Sequence, residues 1–368
     1  MKLRLLTMIV TLVMIAAGTA GCGADDPPQT AQVMAEPTPQ PTPAPTPEPT
    51  PQPPPEIPRD MGICNLTGEY IYLYVTGRRP VAVVFDNIRR ALPQSGLSQA
   101  AIVYEVLAEG GVTRIVGIFK DFDSENIGPV RSTRTYFIDF AVDHDAIFVH
   151  HGGSPQAYND LRSMNPDRLD GMVEAQVFRR EGGRPLEHSS FTGYERLWNR
   201  IHERGMRTEL APGHNPFDFY PTLSSPRESE QAARFRIRFA GGYITSFEFD
   251  EDTGLYAMTG THGPQMDGET GEQLTFSNII VQNTGIRMIP GDNAGRREVD
   301  VVGRGTGYIF TNGSVAPIRW AKDSRGTPTR WYNDQGLRLN VNRGRTYIAV
   351  VDSAPIISEP YDEADDDE

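Results

Sequence analysis

Residues 103–107 (Val-Tyr-Glu-Val-Leu) and residues 114–119 (Arg-Ile-Val-Gly-Ile-Phe) flank the turn residues Glu109-Gly110-Gly111. Two apolar runs separated by a short glycine-containing segment are typical of a β-hairpin. Upstream, residues 80–85 (Pro-Val-Ala-Val-Val-Phe) form another apolar run, which indicates a buried strand that ends at Asp86-Asn87. This part of the chain therefore predicts neighbouring strands of one sheet.

Helical patterns alternate with these strands. Residues 131–142 place apolar side chains at helical spacing, Ser154-Pro155 is typical of a helix start, and residues 191–204 form an amphipathic pattern. A shorter helix is predicted over 97–102, and residues 146–149 form another apolar strand. The alternation predicts an N-terminal mixed α/β layer domain over residues 62–205.

The second half of the folded region has a different pattern. Residues 234–239 alternate strictly between arginine and apolar residues, which is typical of a half-buried strand. Residues 279–281 and 347–351 are apolar enough to be central strands. The expectation is a mostly β C-terminal domain over 231–353, either a sandwich or a small barrel, after a connector at 206–230. The fold class predicted for the whole chain is α+β.

The amino end has the pattern of an exported lipoprotein. Lys2 and Arg4 precede a short apolar core over residues 5–17, and Thr19-Ala20-Gly21 precede Cys22. We expect residues 1–21 to be a signal peptide and Cys22 to carry the lipid that anchors the chain to the membrane. Lipoprotein signals usually have leucine where Thr19 stands. Ordinary secretory cleavage near Ala20 is therefore the alternative.

A stalk and an acidic tail flank the folded region. Residues 22–58 are rich in proline and threonine, and such a composition favours an extended, disordered segment. At about 3.1 Å per residue, it would reach roughly 110 Å, which is long enough to project a domain from a membrane. Residues 354–368 are predicted to be an acidic disordered tail.

Charge and cysteine content restrict the function. A net charge of −13 argues against a nucleic-acid partner. Besides Cys22 the chain has one cysteine, Cys64, so no internal disulfide is expected, and its thiol is predicted to be loosely held and unreactive.

The densest polar cluster lies in the N-terminal domain. Ser132 and Thr133 are expected to cap a helix whose free N–H groups, with Arg131 and Arg134, would suit a carboxylate, a phosphate or an acidic sugar. The alternative is that these arginines pair with internal carboxylates. The residues predicted to contact a ligand are Asn87, Glu105, Arg114, Arg131, Arg134, His150 and Ser154.

The His150-His151-Gly152-Gly153 segment allows other chemistry. Adjacent strand residues point to opposite faces, so His150 and His151 are not expected to bind one metal together. No metal, no cofactor and no catalytic residue is predicted. A cell-wall hydrolase with Glu105 or Glu109 as acid and His150 or His151 as base remains an alternative.

Several of these segments together resemble a known family. The chain resembles the YerB-like lipoproteins, which pair an N-terminal with a C-terminal domain of unknown function, over roughly residues 62–352. One departure lies at His188-Ser189-Ser190, where the family tends toward His-Asn-Leu. The segments that carry the resemblance are 79–83, 93–97, 102–105, 128–132, 150–154, 252–256, 274–278 and 303–308.

The resemblance implies a two-domain lipoprotein of the cell envelope and supplies no settled reaction. We expect a non-enzymatic binding or accessory protein, anchored outside the cytoplasm, that recognises an acidic or peptidic cell-wall ligand or a wall-associated partner protein. The hydrolase and a purely structural scaffold without a ligand are the alternatives.

Overall fold

The computed structural model describes residues 59–239, residues 242–352 and the backbone of Ile356–Ile357. The predicted signal peptide, Cys22, the stalk and most of the acidic tail lie outside the described residues. No described helix has the length and apolar character needed to cross a membrane.

Four α-helices and four short 3-10 helices are present in the described part of the chain. The α-helices are α1 (Leu73–Thr76), α2 (Thr135–Asp143), α3 (Pro155–Met164) and α4 (Tyr194–Glu203). The 3-10 helices are Arg89–Ala91, Leu97–Gln99, Ala175–Val177 and Leu186–His188.

The rest of the regular structure is strand. In chain order the strands are β1 (Met61–Ile63), β2 (Tyr70–Tyr72), β3 (Val81–Asp86), β4 (Ile102–Leu107), β5 (Thr113–Phe119), β6 (Ile147–His150), β7 (Arg168–Asp170), β8 (Arg179–Arg180), β9 (Ser190–Phe191), β10 (Asp218–Phe219), β11 (Glu230–Gln231), β12 (Arg234–Arg238), β13 (Ile244–Asp250), β14 (Leu255–Gly260), β15 (Gly263–Pro264), β16 (Thr275–Phe276), β17 (Asn278–Asn283), β18 (Ile286–Met288), β19 (Arg297–Val299), β20 (Gly303–Thr311), β21 (Ser314–Lys322), β22 (Arg330–Asn333), β23 (Asn340–Val341), β24 (Thr346–Val351) and β25 (Ile356–Ile357).

A mixed sheet of eleven strands forms the centre, in the order β11-β21-β20-β17-β24-β4-β5-β3-β6-β7, with β22 beside β21. The predicted hairpin is confirmed, since β4 and β5 pair antiparallel. The neighbours β24 and β4 run parallel, with Tyr347 opposite Val103 and Ala349 opposite Glu105. The sheet therefore continues from the N-terminal half of the chain into the C-terminal half, through residues about 245 positions apart.

Alternation along the central strands divides the core into two layers. In β3, Val81, Val83 and Phe85 pack on one face, and Ala82 and Val84 pack on the other. Strands β3, β4 and β5 are buried along their whole length. Both faces of this sheet are therefore covered, which explains why these strands are continuous apolar runs in the sequence.

A second sheet of six strands covers one face, in the order β15-β14-β13-β12-β25, with β16 beside β14. The ring centroids of Phe235 in β12 and Phe310 in β20 lie 3.6 Å apart, and those of Phe247 in β13 and Tyr347 in β24 lie 5.0 Å apart. The C-terminal half is rich in strands, as predicted. Its described strands form open sheets that pack face to face and no closed barrel.

Helices α2 and α3 cover the opposite face, whereas α4 packs in the same core layer as the second sheet. One of the two predicted helix starts is wrong. Helix α2 begins at Thr135 after Arg134, without a side-chain cap, so the predicted capping by Ser132 and Thr133 is wrong. Thr133 is instead held in extended conformation by backbone pairing with Gly153. The predicted helix start at Ser154-Pro155 is confirmed, because the Ser154 hydroxyl accepts the backbone N–H of Ala157.

Two smaller expectations also need correction. The helix predicted over 97–102 is a single 3-10 turn at Leu97–Gln99, and Ile102 already begins β4. Cys64 is not loosely held, because its side chain is 2% exposed and packs in the core layer that contains Leu66 and Ile71. The local sequence pattern predicts neither the short 3-10 turn nor the burial of Cys64, since both depend on what packs against the segment.

The guanidinium of Arg345 joins segments from the two halves of the chain. It donates hydrogen bonds to the carbonyl oxygens of Leu97 (3.0 Å), Ala100 (2.9 Å) and Thr275 (3.0 Å).

We expect Arg345→Ala to lower the free energy of unfolding by about 2–4 kcal/mol, because three acceptors lose their donor. Urea denaturation measures the loss. The exposed Arg343→Ala is the control, and equal effects of the two substitutions would contradict this role.

Candidate functional site

The polar side chains that the sequence singles out gather at one edge of the eleven-stranded sheet. Strands β3, β4 and β6 run in the same direction and end there, at Asp86, Leu107 and His150. The carboxyl ends of parallel strands are the usual position of ligand sites in sheets covered on both faces. We refer to Asp86, Glu109, Arg114, Arg131 and Arg134 as the carboxyl-edge cluster.

Asp86 is the first centre of the carboxyl-edge cluster. Its Oδ2 atom lies 2.7 Å from Nδ1 of His188 and 3.2 Å from Nε of Arg131. Nε2 of His188 lies 3.1 Å from the carboxylate of Glu187. The Asp86 side chain is 3% exposed and that of Arg131 is 26% exposed, so Arg131 is the member of this pair that solvent can reach.

Glu109 is the second centre, and it binds two guanidinium groups. It accepts hydrogen bonds from Arg134 Nε (3.0 Å) and Nη2 (2.6 Å), and it forms an ion pair with Arg114. The two arginines also donate to the backbone carbonyls of Thr133 and Ser132. Their side chains are less than one-tenth exposed, so they fix the loop that carries Arg131.

Positive charge is in excess within the cluster. Three guanidinium groups share the two carboxylates of Asp86 and Glu109. Burial lowers the pKa of Arg114 to about 10. The charge of Arg134 also lowers this pKa, while the carboxylates of Glu109 and Asp86 raise it. The one guanidinium charge in excess of the two carboxylates would favour an additional anion here.

The exposed rim of the cluster carries charges of both signs. Arg180 lies beside His151, with Nη2 at 3.3 Å from the ring Nε2, and Glu187 lies beside His188. These two residues add one charge of each sign.

Glu105 is enclosed rather than available to a ligand. Its carboxylate is 1% exposed and accepts hydrogen bonds from Asn87 Nδ2 (3.1 Å), Thr113 Oγ1 (2.6 Å), Thr245 Oγ1 (3.1 Å) and the Tyr347 hydroxyl (2.5 Å). Burial raises its pKa, while the three hydroxyl donors oppose the shift. The hydrogen bonds of Glu105 thus connect β4 to β13 and β24, and Asn87 donates to the same carboxylate.

His150 and Ser154 are also committed to internal contacts. The His150 ring is fully buried, its Nδ1 lies 2.8 Å from the carbonyl oxygen of Gly152, and its Nε2 has no hydrogen-bond partner. Burial lowers the pKa of His150, which favours the neutral ring. Gly152 adopts a φ of 78°, which suits glycine at the turn that follows β6. Ser154 caps α3 as described above.

The ring of His151 has different contacts from that of His150. Its Nδ1 lies 2.7 Å from the hydroxyl of Ser190. Burial and the charge of Arg180 lower its pKa. Within the described residues, no hydrogen bond joins the carboxylate of Glu105 or Glu109 to the imidazole of His150 or His151.

The Arg131 and His150 loops meet through their backbones. The N–H of Thr133 donates to the carbonyl of Gly152 (2.9 Å), that of Ser154 to Thr133 (3.2 Å), and that of His151 to Arg131 (3.0 Å). The structure thus brings Arg114, Arg131 and Arg134 together with Glu109 and Asp86. Asn87 and Glu105 form a separate enclosed group, and His150 and Ser154 lie behind the loop.

Asp86 and His188 are absent from the predicted site residues, although they form the shortest carboxylate–imidazole contact of this edge. The position of Asp86 at a strand end next to Asn87 was a local signal for the first of them. The 102 positions between Asp86 and His188 leave no local signal for their pairing. No described group of three or more His, Cys, Asp or Glu side chains has the arrangement of a metal site.

Comparisons with known proteins agree on one family. Residues 66–207 match the family described as the DUF3048 N-terminal domain, and residues 235–348 match the DUF3048 C-terminal domain. The chain is 33% identical over 291 residues to "Putative lipoprotein YerB" of Bacillus subtilis (strain 168), which covers 78% of this chain and 85% of the relative. The crystal structure of YerB from Bacillus subtilis superposes with a TM-score of 0.71 at 33% identity, covering 81% of this chain and 99% of that chain.

The enclosed carboxyl group of Glu105 predicts a pH dependence of stability. Its pKa is raised in the folded state, so the folded protein binds more protons than the unfolded chain above about pH 4.5. This contribution to the free energy of unfolding therefore falls as the pH rises from the unfolded pKa to the folded pKa. We expect Glu105→Gln to remove this part of the slope in urea denaturation measured across a pH series.

The comparison with wild type isolates Glu105, because the other titrating groups are common to both proteins. Glu109→Gln is the control for loss of a carboxylate at the same edge. Identical pH slopes for wild type and Glu105→Gln would contradict the assignment.

Proposed function

Since this chain belongs to the DUF3048 family, we propose that it is a lipid-anchored, non-catalytic binding protein of the cell envelope. Its carboxyl-edge cluster would recognise an acidic or peptidic ligand of the cell wall, or the acidic surface of a wall-associated partner protein. The observation that carries this proposal is the excess of positive charge at Arg114, Arg131 and Arg134.

The partly exposed Arg131 supports recognition of an anion. Within the described part of the chain its guanidinium contacts one carboxylate, that of Asp86, and it donates to the backbone carbonyl of Glu187. A guanidinium presents five N–H donors in a planar fork, so donors remain for a carboxylate or phosphate that arrives from solvent. Arg114 and Arg134 add charge behind it without competing for the ligand, since they are nearly buried.

Binding is favoured over hydrolysis by the state of the groups that a hydrolase would use. A general acid must reach the bond that it protonates, directly or through one water. Glu105 is enclosed by its four donors, and His150 is fully buried. Glu109 is reachable at 23% side-chain exposure, but both of its carboxylate oxygens are already bound by Arg114 and Arg134.

The anchor is supported by the amino-terminal pattern and by the relative's name. Lys2, Arg4 and the apolar core are followed by small residues before Cys22. A lipid-modified cysteine with two or more acyl chains binds a membrane stably. The proline-rich residues up to 58 would then act as the spacer between the lipid and the folded region.

Substitution of Arg131 tests the ligand site. We expect Arg131→Gln in the full chain, held in detergent micelles, to weaken the binding of soluble peptidoglycan fragments by about tenfold or more, because a charge-assisted hydrogen-bond pair is lost. Titration calorimetry gives the dissociation constant. Arg234→Gln, which removes the same charge from an exposed pair with Glu248, is the matched control.

Thermal unfolding of both variants separates lost binding from lost structure. Equal affinity of wild type and a folded Arg131→Gln would contradict the assignment of the site. Wild-type protein that binds neither wall fragments nor an envelope protein would contradict the proposed function.

Substitution of Cys22 tests the anchor. We expect wild-type protein to sediment with the membranes and to enter the detergent phase on phase separation, and Cys22→Ser to do neither, because it lacks the lipidated side chain. Cys64→Ser is the control for loss of a thiol, and it should still sediment. Mature wild-type protein with an unmodified amino end in the medium would rule out the anchor.

A further inference from the structure

A second groove lies between helices α2 and α3 and the hairpin formed by β18 and β19. Its volume is about 390 Å³, which falls within the range of small-molecule sites in proteins. Its lining includes Thr135, Asp139, Gln156, Asp160, Arg297 and Asp300. None of these residues belongs to the carboxyl-edge cluster, so the groove is a separate candidate site.

Each wall of the groove carries one arginine that forms ion pairs with two carboxylates. On the helical wall, Arg325 contacts Asp139 at 2.7 Å and Asp160 at 2.6 Å. These three charged groups leave one net negative charge on that wall.

The hairpin wall repeats this arrangement. Arg287 contacts Asp300 at 2.5 Å and Glu298 at 3.2 Å. This wall therefore also has one carboxylate charge more than its arginine neutralises. Both walls would favour a cation in the space between them.

Arg297 differs from the other two arginines. No hydrogen bond or ion pair to its side chain is present among the described residues, and its Nε–H is buried without an acceptor. Alternation along β19 places Arg297 on the same side as the half-buried Val299, and the α2 residue Tyr136 is close enough to experience its charge. A buried N–H donor without an acceptor is costly, and a ligand anion would remove that cost.

We propose that this groove binds a small zwitterion, namely an amino acid or the end of a short peptide with both a carboxylate and an ammonium group. The carboxylate pairs with the guanidinium of Arg297, and the ammonium lies against the carboxylate-rich wall at Asp160 or Asp300. Thr135 and Gln156 supply the neutral donors and acceptors that a peptide amide needs. The carboxylate excess of the two walls disfavours a purely anionic ligand relative to a zwitterion.

Blocking each charge of a defined probe tests the proposal on the wild-type full chain in detergent micelles. The probes are alanyl-alanine with free termini, its C-terminal amide and its N-acetyl derivative, titrated by NMR or calorimetry. We expect the free dipeptide to bind and each blocked form to bind about tenfold or more weakly, because each lacks one of the two charges.

Substitution of Arg297 tests the same contact from the protein side. We expect Arg297→Gln to weaken binding of the free dipeptide as much as C-terminal amidation does, and Arg297→Lys, which keeps the charge but loses the fork, to fall between. Arg234→Gln is the control for loss of a surface charge.

Three results would each overturn the proposal: no saturable binding of the free dipeptide at millimolar concentration, equal affinity for the free and amidated dipeptides, or unchanged affinity of Arg297→Gln. If a variant does not fold, the blocked dipeptides on wild-type protein still decide the question.

Discussion

The parallel pairing of β24 with β4 is the constraint on which the rest of the structure depends. Strand β4 lies in the segment that matches the N-terminal family domain, and β24 lies in the segment that matches the C-terminal one. All six residues of each strand are buried. We call this pair of strands the seam. It is covered on both faces, and it joins the two sequence domains into one sheet. It also places Tyr347 beside Glu105, so a buried carboxyl group is hydrogen-bonded across the two halves.

Other contacts between the halves follow from this seam. Lys322 and Asp143 form a buried ion pair between the end of β21 and the end of α2. Asp267 accepts the backbone N–H groups of Gly96 (3.0 Å) and Ser98 (2.7 Å). A buried charge of this kind is stable only when its partner is held in place, which here requires the sheet to be complete. The arginines of the carboxyl-edge cluster likewise owe their positions to strands that the seam keeps in register.

Local pattern was sufficient to predict much of this fold. The apolar run over 80–85, the hairpin around Glu109-Gly110-Gly111 and the helix start at Ser154 are each encoded within a few residues, and all three are confirmed. The alternation in 234–239 also predicted correctly which side chains of β12 face the core. The seam itself leaves no local signal, because an apolar run shows that a strand is buried but not which strand lies beside it.

The candidate site was predictable in composition but not in arrangement. The sequence indicated arginines, histidines and carboxylates near strand ends, and the structure does bring Arg114, Arg131 and Arg134 together. The sequence could not show that Glu105 would be enclosed by hydroxyl groups from distant strands, since Thr245 and Tyr347 lie 140 and 242 positions away from it. The same holds for the lack of a partner at Arg297, which depends on how a hairpin packs against two helices.

Urea unfolding followed separately in the two halves tests the shared sheet most directly. Trp198 lies in the N-terminal half, and Trp320 and Trp331 lie in the C-terminal half, so variants that keep tryptophan in one half report on that half alone. If β24 and β4 hold one cooperative sheet, the fluorescence transition of each variant will share its midpoint with the circular-dichroism transition of the same variant. Two separate midpoints, with one half unfolding while the other stays folded, would contradict the account.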